Sequence, residues 1–526
     1  MKSRTILISL LTAAIVTTTF SCNQEQPTTE TSTAAPKPMA TKAAVSVGTN
    51  AWVVPVDVTP VPPPNPSEAN YIDFGWQSFV ALNWPSLSPT SGGVNGQPDT
   101  GALIGATAAN GAFVPTVWST YRDLSTIMLN NAVDPGASYT QAVTIPGGCT
   151  PIGSNPVAPG FQPLFIDGST FQNSQRVKDY INQATGNPSP LVDQEGWYTL
   201  TDIRINQSEY DYIHQNAFYA GVNQAAAYKA SGKLPTFPKN GLESNLPPLP
   251  SYAQYGSTEI KAAWRVLDPA KDSKVIPRYY TQWGYFLQPD GKTCQGPALF
   301  GLIGLHILRL TPTTGATWFW ASFEQVDNTM PPAGIPATLA AANTPNGNCT
   351  SSYNVAPPEA TGNIPWNNTN TPNNLCQVTP IPANVQAANT TYQGKLGGTV
   401  WQYYQMVNTL NPCPVGASGC ASFPPIYDTT PANEANLSIF ANTAIESYAQ
   451  SSSCLDCHGG AAGYDYPKPL TGTNQIFTFA LLNAYYPPSG AQTTAKAELL
   501  NLIRKPPHSN VAAAPNTATS TAPVKK

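Results

Sequence analysis

Cys454-Leu455-Asp456-Cys457-His458 sets two thiols three positions apart and places an imidazole directly after the second. Each thiol of such a pair can add across a vinyl group of a haem to form a thioether. The adjoining histidine then stands ready to ligate the iron from one face. A small disulfide loop beside an incidental histidine, or half of a zinc site, are the competing readings. Zinc would call for a second Cys/His pair at similar spacing, and the sequence holds none. The expected cofactor is therefore one covalent haem c, with Cys454 and Cys457 as thioether sites and His458 as proximal ligand.

The opposite face of the iron decides the chemistry. No Met follows Cys457, and the only later His is His508, in a Pro/Ala/Thr/Lys tail. A distal ligand must then come from upstream, where His214, His306, Met128, Met330 and Met406 are the candidates. His306 is singled out by its apolar setting, Leu299-Phe300-Gly301-Leu302-Ile303-Gly304-Leu305-His306-Ile307-Leu308, in which an imidazole needs a partner for its nitrogens. Iron is one such partner and a backbone hydrogen bond is the other. Read as a strand, the face of His306 also carries Gly304, whose small size leaves room for a flat ring. A filled sixth position limits the iron to electron exchange; a vacant one opens it to peroxide or a small substrate.

Haem attachment of this kind presupposes export, and the N-terminus fits. Lys2 and Arg4 precede a short apolar core, Ile6–Val16, of signal-peptide rather than membrane-spanning length. Ser21-Cys22 resembles a lipoprotein cleavage box, so Cys22 is the expected lipidation site and residues 1–22 the signal. Removing Cys22, Cys454 and Cys457 from the nine cysteines leaves Cys149, Cys294, Cys349, Cys376, Cys413 and Cys420, an even set suited to three disulfides in an oxidising compartment. Cys413 and Cys420 bracket an easily turned segment and form the expected local bridge; the other four allow three pairings. The chain is thus expected in the periplasm or at the cell surface, tethered to a membrane by lipid.

Charged residues make up 10% of the chain, against roughly 25% in an average soluble protein, and the net charge is −4 with no basic block. Nucleic acid is therefore not an expected partner. Residues 23–67 read as a disordered Pro/Thr/Ala-rich linker, 68–431 as a large α+β region, 432–486 as the haem-attachment unit, and 487–526 as a short helix and disordered tail.

The elements that must hold the motif follow from apolar periodicity. Tyr71–Leu82, Val117–Leu129 and Glu209–Lys229 carry helical spacing. Ile260–Leu267, Arg278–Gln288, Leu299–Leu310 and Thr317–Val326 are aromatic and aliphatic runs between turn-like segments, which predicts a central antiparallel sheet. Leu437, Phe440, Ala441, Ala444, Ile445 and Tyr448 recur at helical spacing and predict a helix delivering the chain to Cys454, with Ile476–Tyr486 closing over the haem edge. The fold class is α+β: helical N-terminal part, central antiparallel sheet, C-terminal helical haem unit, many long loops. Glu324 and Asp327 near Trp318 and Trp320 suggest a carboxylate pair on an aromatic platform, though three positions apart on a strand they face opposite ways; a hydrogen-bonded turn is the competing reading.

The motif resembles that of c-type cytochromes. More loosely, the chain is similar over most of 70–486 to large bacterial proteins described as cytochrome c family proteins. The segments that carry this likeness are Phe79-Val80-Ala81-Leu82-Asn83-Trp84-Pro85, Gly304-Leu305-His306-Ile307 and Phe323-Glu324-Gln325-Val326-Asp327-Asn328. The resemblance implies Cys454, Cys457 and His458 as haem residues and names no substrate. The missing downstream Met departs from the small cytochromes. Three functions stand as expectations. The first is a single-haem electron carrier serving a redox partner protein or a small-molecule electron donor or acceptor. The second is a peroxidase-like or small-molecule oxidoreductase with an open distal site. The third is a surface ligand-binding lipoprotein in which haem is structural or sensory.

Overall fold

The computed structural model describes residues 47, 50–59, 66–87, 94–140, 143–153, 163–167, 191–232, 235–242, 246–288, 290–314, 318–329, 369–373, 375–377, 380–410, 441–450, 454, 458, 478 and 480–485. Cys22, Cys349, Cys413, Cys420, Cys457 and Met330 lie outside these residues, as do most of the expected linker, haem unit and tail.

Among the described residues, four helices and eight strands form an α+β architecture. Helix α1 (Glu68–Leu82) opens with a capping box, in which Ser67 accepts from the Asn70 amide and Asn70 reaches back to the Ser67 amide. It ends where the Asn83 side chain turns back onto the Phe79 carbonyl at 2.8 Å. The strands are β1 (Arg122–Asp123), β2 (Leu164–Asp167), β3 (Leu200–Ile205), β4 (Thr258–Leu267), β5 (Thr281–Leu287), β6 (Cys294–Arg309), β7 (Phe319–Gln325) and β8 (Tyr404–Leu410). The other helices are α2 (Gln207–Gln215), α3 (Gly221–Ser231) and α4 (Ala383–Lys395).

Strand β6 organises the sheet. One edge pairs with β4 along its length; the other is shared, β5 taking its first half and β7 its second. From Ala298 onward β6 is buried on both faces, which is why its sequence is a continuous apolar run instead of an alternation. The order is β1-β3-β4-β6-β5-β2, with β7 and β8 branching from β6. All pairs are antiparallel except β2 with β5, so the sheet is mixed where a purely antiparallel one was expected.

One face of the sheet packs on α1. Phe74 and Phe79 set their rings against Phe319 and Phe323, Trp76 stacks on Tyr392 of α4, and Gly75 leaves room for Met406 and Ala321. Each large apolar side chain so buried contributes about 1.5–3 kcal/mol. The opposite face carries the segments that lead to the motif.

Four expectations need correction. Val117–Leu129 forms short 3-10 turns around β1, because the Asp123 carboxylate takes the Ser125 amide at 2.7 Å and closes a local turn in competition with helix. Glu209–Lys229 is two helices, broken at Asn216–Ala220 where Ala217 adopts φ 49°. Ala441–Gln450 is a chain of turns rather than the expected helix. The N-terminal part also contributes strands β1 to β3, which helical spacing did not suggest. Among the described residues no helix is long and apolar enough to cross a membrane.

Candidate functional site

Strand register assembles the site. Three rungs cross β3, β4, β6, β7 and β8: Ile205–Glu259–Leu308–Trp320–Leu410, then Ile203–Lys261–His306–Ser322–Asn408, then Thr201–Ala263–Gly304–Glu324–Gln405. Paired residues, and residues two apart on a strand, point to the same side. All three rungs therefore share the face away from α1.

Ala441–Gln450 lies across this face. Asn442 Nδ2 donates to the Phe323 carbonyl at 2.6 Å, and Glu324 accepts from the Thr443 amide at 3.1 Å and its hydroxyl at 2.7 Å. Asn328 ties the Ile303 carbonyl at 2.7 Å and reaches the Thr443 hydroxyl. Gly304 makes the close approach possible: a Cβ there would stand 3.1–3.2 Å from Asn442, Ala444 and Ile445. The space that Gly304 leaves is thus filled by the incoming chain, which corrects its reading as room for a flat ring.

Cys454 and His458 follow, both with helical backbone and both half-buried. Cys454 packs on an apolar cluster that includes Met128, Tyr210, Leu308, Trp320 and Leu481. The Trp320 ring meets the His458 imidazole edge-on, with centroids 5.9 Å apart. A covalent haem would need a thiol and an imidazole beside apolar surface, and both residues touch the cluster that contains Trp320.

His306 shares the face but already has a polar neighbour. Its Nε2 lies 3.3 Å from Glu446 Oε2, at ion-pair range without hydrogen-bond alignment. Burial pushes the Glu446 carboxyl up, yet His306 and Lys261 outweigh it and hold the group below its ordinary range. The Asn442 amide adds a 2.9 Å bond to the same oxygen.

The other distal candidates are dispersed. His214 on α2 bonds to Asp134 at 3.0 Å and stacks between Tyr210 and Tyr219. Met406 is fully buried on the α1 side of the sheet, opposite to His458. Met128 belongs to the cluster on which Cys454 rests.

Glu324 and Asp327 serve different partners. Burial raises the Glu324 carboxyl, and its bonds go to Thr443 and Gln405. Asp327 holds Arg278 through two 2.6 Å bonds, with the guanidinium over the Tyr403 ring. They form no shared carboxylate platform. Of the cysteines, Cys149 bonds to Cys294 and Cys376 is also disulfide-bonded. Lys261, Glu259 and Glu446 were not marked as site residues by the sequence, and Trp320 only as part of the aromatic platform, since register and long-range docking bring them together.

Compared with models of protein families, with curated proteins and with solved structures, the chain matches none.

Proposed function

We propose that this chain is an exported c-type cytochrome with one haem attached through Cys454 and Cys457 and ligated by His458. The observation that carries the reading is that Cys454 packs on the apolar cluster containing Trp320 while His458 sets its ring against that same Trp320. Haem bound there would exchange single electrons between Fe(III) and Fe(II). The chain's own residues would do the rest: Trp320 fixes the His458 ring, and Leu308 and Leu481 keep water from the thioether side. Lipidation at Cys22 would tether the protein at a membrane, and a redox protein or small-molecule carrier would be its partner.

The Glu446 contact on His306 favours a second reading. With Nε2 turned to Glu446, only Nδ1 of His306 is left for iron, and a distal position without it would suit peroxidase-like or other small-molecule chemistry. A surface protein with structural haem remains the third reading and draws on no observation of its own.

The test is an absorption spectrum of the protein matured with haem, oxidised and reduced, with and without CO. Low-spin bands unmoved by CO, and lost in His306→Ala, support the electron carrier with His306 as distal ligand. A high-spin spectrum that binds CO moves the assignment to the enzyme. Haem that washes away under denaturing conditions overturns both.

A further inference from the structure

The rung that carries Trp320 also carries Glu259, two strands away. Asn206 Oδ1 accepts from the amides of both Glu209 on α2 and Thr258 on β4, which sets Glu209 beside Glu259; Glu209 is fully enclosed and Glu259 is 6% exposed. Their approach leaves neither Glu209 oxygen in a well-aligned hydrogen bond. Glu259 Oε1 is bonded to the Thr478 hydroxyl, which belongs to the C-terminal segment packed on the same face. Thus a carboxyl pair lies in the apolar layer on which Cys454 rests.

Among the described residues no cation balances the pair. On the neighbouring elements, Lys261 of β4, Arg122 of β1, His306 of β6, and Tyr210 and Asp211 of α2 are ionisable, while the other cations are engaged elsewhere: Arg204 with Asp202, Arg265 with Asp193, Arg309 with Ser78 and His214 with Asp134. Arg122 is committed to the Ser138 and Pro135 carbonyls beneath the Tyr210 ring. Burial comes first in setting the proton affinity of both carboxyls, followed by each other and, for Glu259, Thr478; it pushes both upward. Two carboxyls in one dry site cannot both ionise cheaply.

We propose that Glu209 and Glu259 together hold one proton at neutral pH, and that this proton is bound more tightly when the centre at His458 gains an electron. The linkage rests on the cytochrome reading; the shared proton does not. Two strand spacings put Glu259 about 10 Å from Trp320 in the backbone, and His458 lies just beyond. Unit charges about 15 Å apart, at an effective dielectric of about 20, shift one another's proton affinity by nearly tenfold. Balance is simple: an electron arrives from the redox partner and, in the pH window of the pair, a fraction of a proton follows from water.

The experiment has two readouts on the full chain, wild type against Glu209→Gln and Glu259→Gln, each checked for native fold by circular dichroism. Infrared spectra at neutral pH should show a protonated-carboxyl C=O band that either substitution shifts or removes, and a band unmoved by both overturns the shared proton. In haem-loaded protein, the midpoint potential should fall with rising pH by up to about 59 mV in total for a tenfold change in affinity. It should be flat in the variants. Absence of the band overturns the shared proton. A band with identical pH slopes in wild type and variants overturns the linkage alone. Failure to attach haem sinks the cytochrome reading and the linkage with it, while the band still decides the shared proton.

Discussion

Trp320 stands edge-on to His458 and is 1% exposed, so the motif's imidazole is braced by a tryptophan 138 positions earlier in the chain. Trp320→Ala should cost about 3–5 kcal/mol through the cavity it leaves, and Trp320→Phe clearly less. Denaturant midpoints measure both. In haem-loaded protein the alanine variant should also show a shifted Soret band, because the proximal ring loses its brace. An unshifted band would mean that Trp320 serves packing alone.

Gly304 decides whether Ala441–Gln450 can lie flat on the sheet. A side chain there meets Asn442, Ala444 and Ile445 at once, none of which can retreat far while Asn442 and Thr443 hold β7. Gly304→Val should cost about 1–3 kcal/mol and speed proteolysis within 441–450. Cleavage at the wild-type rate would contradict the docking.

Arg265 is fully buried at one end of the sheet with Asp193 at 3.7 Å, and Glu195 and Asp272 nearby. Burial raises the Asp193 carboxyl to about 6 and the Glu195 carboxyl to about 7. A carboxyl whose affinity is raised by folding contributes stability below its unfolded value of 4.5 that is lost as pH climbs toward 7. Glu195→Gln should therefore reduce the fall in denaturant midpoint between about pH 5 and pH 8. An unchanged fall would assign the slope elsewhere.

The Cys149–Cys294 bond spans 145 positions and anchors the start of β6, beside the bridge between Thr150 and Gln295. Replacing both cysteines with alanine should cost about 2–5 kcal/mol. Thermal unfolding under oxidising conditions would show it, and wild-type protein under reducing conditions should approach the variant.

How much of this was legible follows from where the deciding interactions lie. Tyr71–Leu82 declared itself a helix through apolar spacing, a local feature, and the structure adds the Ser67/Asn70 cap at its start. Four strands, β4 to β7, were visible because aromatic and aliphatic runs sit between turns. Strand β8 and helix α4 were not: Tyr-Gln-Met-Val-Asn-Thr-Leu is half polar, and Ala383–Lys395 buries only Val385, Asn389 and Tyr392. Asn389 shows why, since its amide bonds to Met406 in β8 and each element needs the other.

Sequence alone determined which residues the proposed chemistry can draw on: the thiols of Cys454 and Cys457, the His458 imidazole beside them, and six further cysteines after Cys22. It also determined β6 as the buried centre of the sheet, because an apolar run of that length has few other places to go. Tertiary structure decided what surrounds the motif. Helical spacing from Leu437 to Tyr448 was overridden over Ala441–Gln450 by the bonds of Asn442 and Thr443 to β7, worth more to the backbone there than a continued helix. The rungs joining Glu259, His306 and Trp320 exist only once β4, β6 and β7 are in register, and no local pattern encodes a register between strands so far apart.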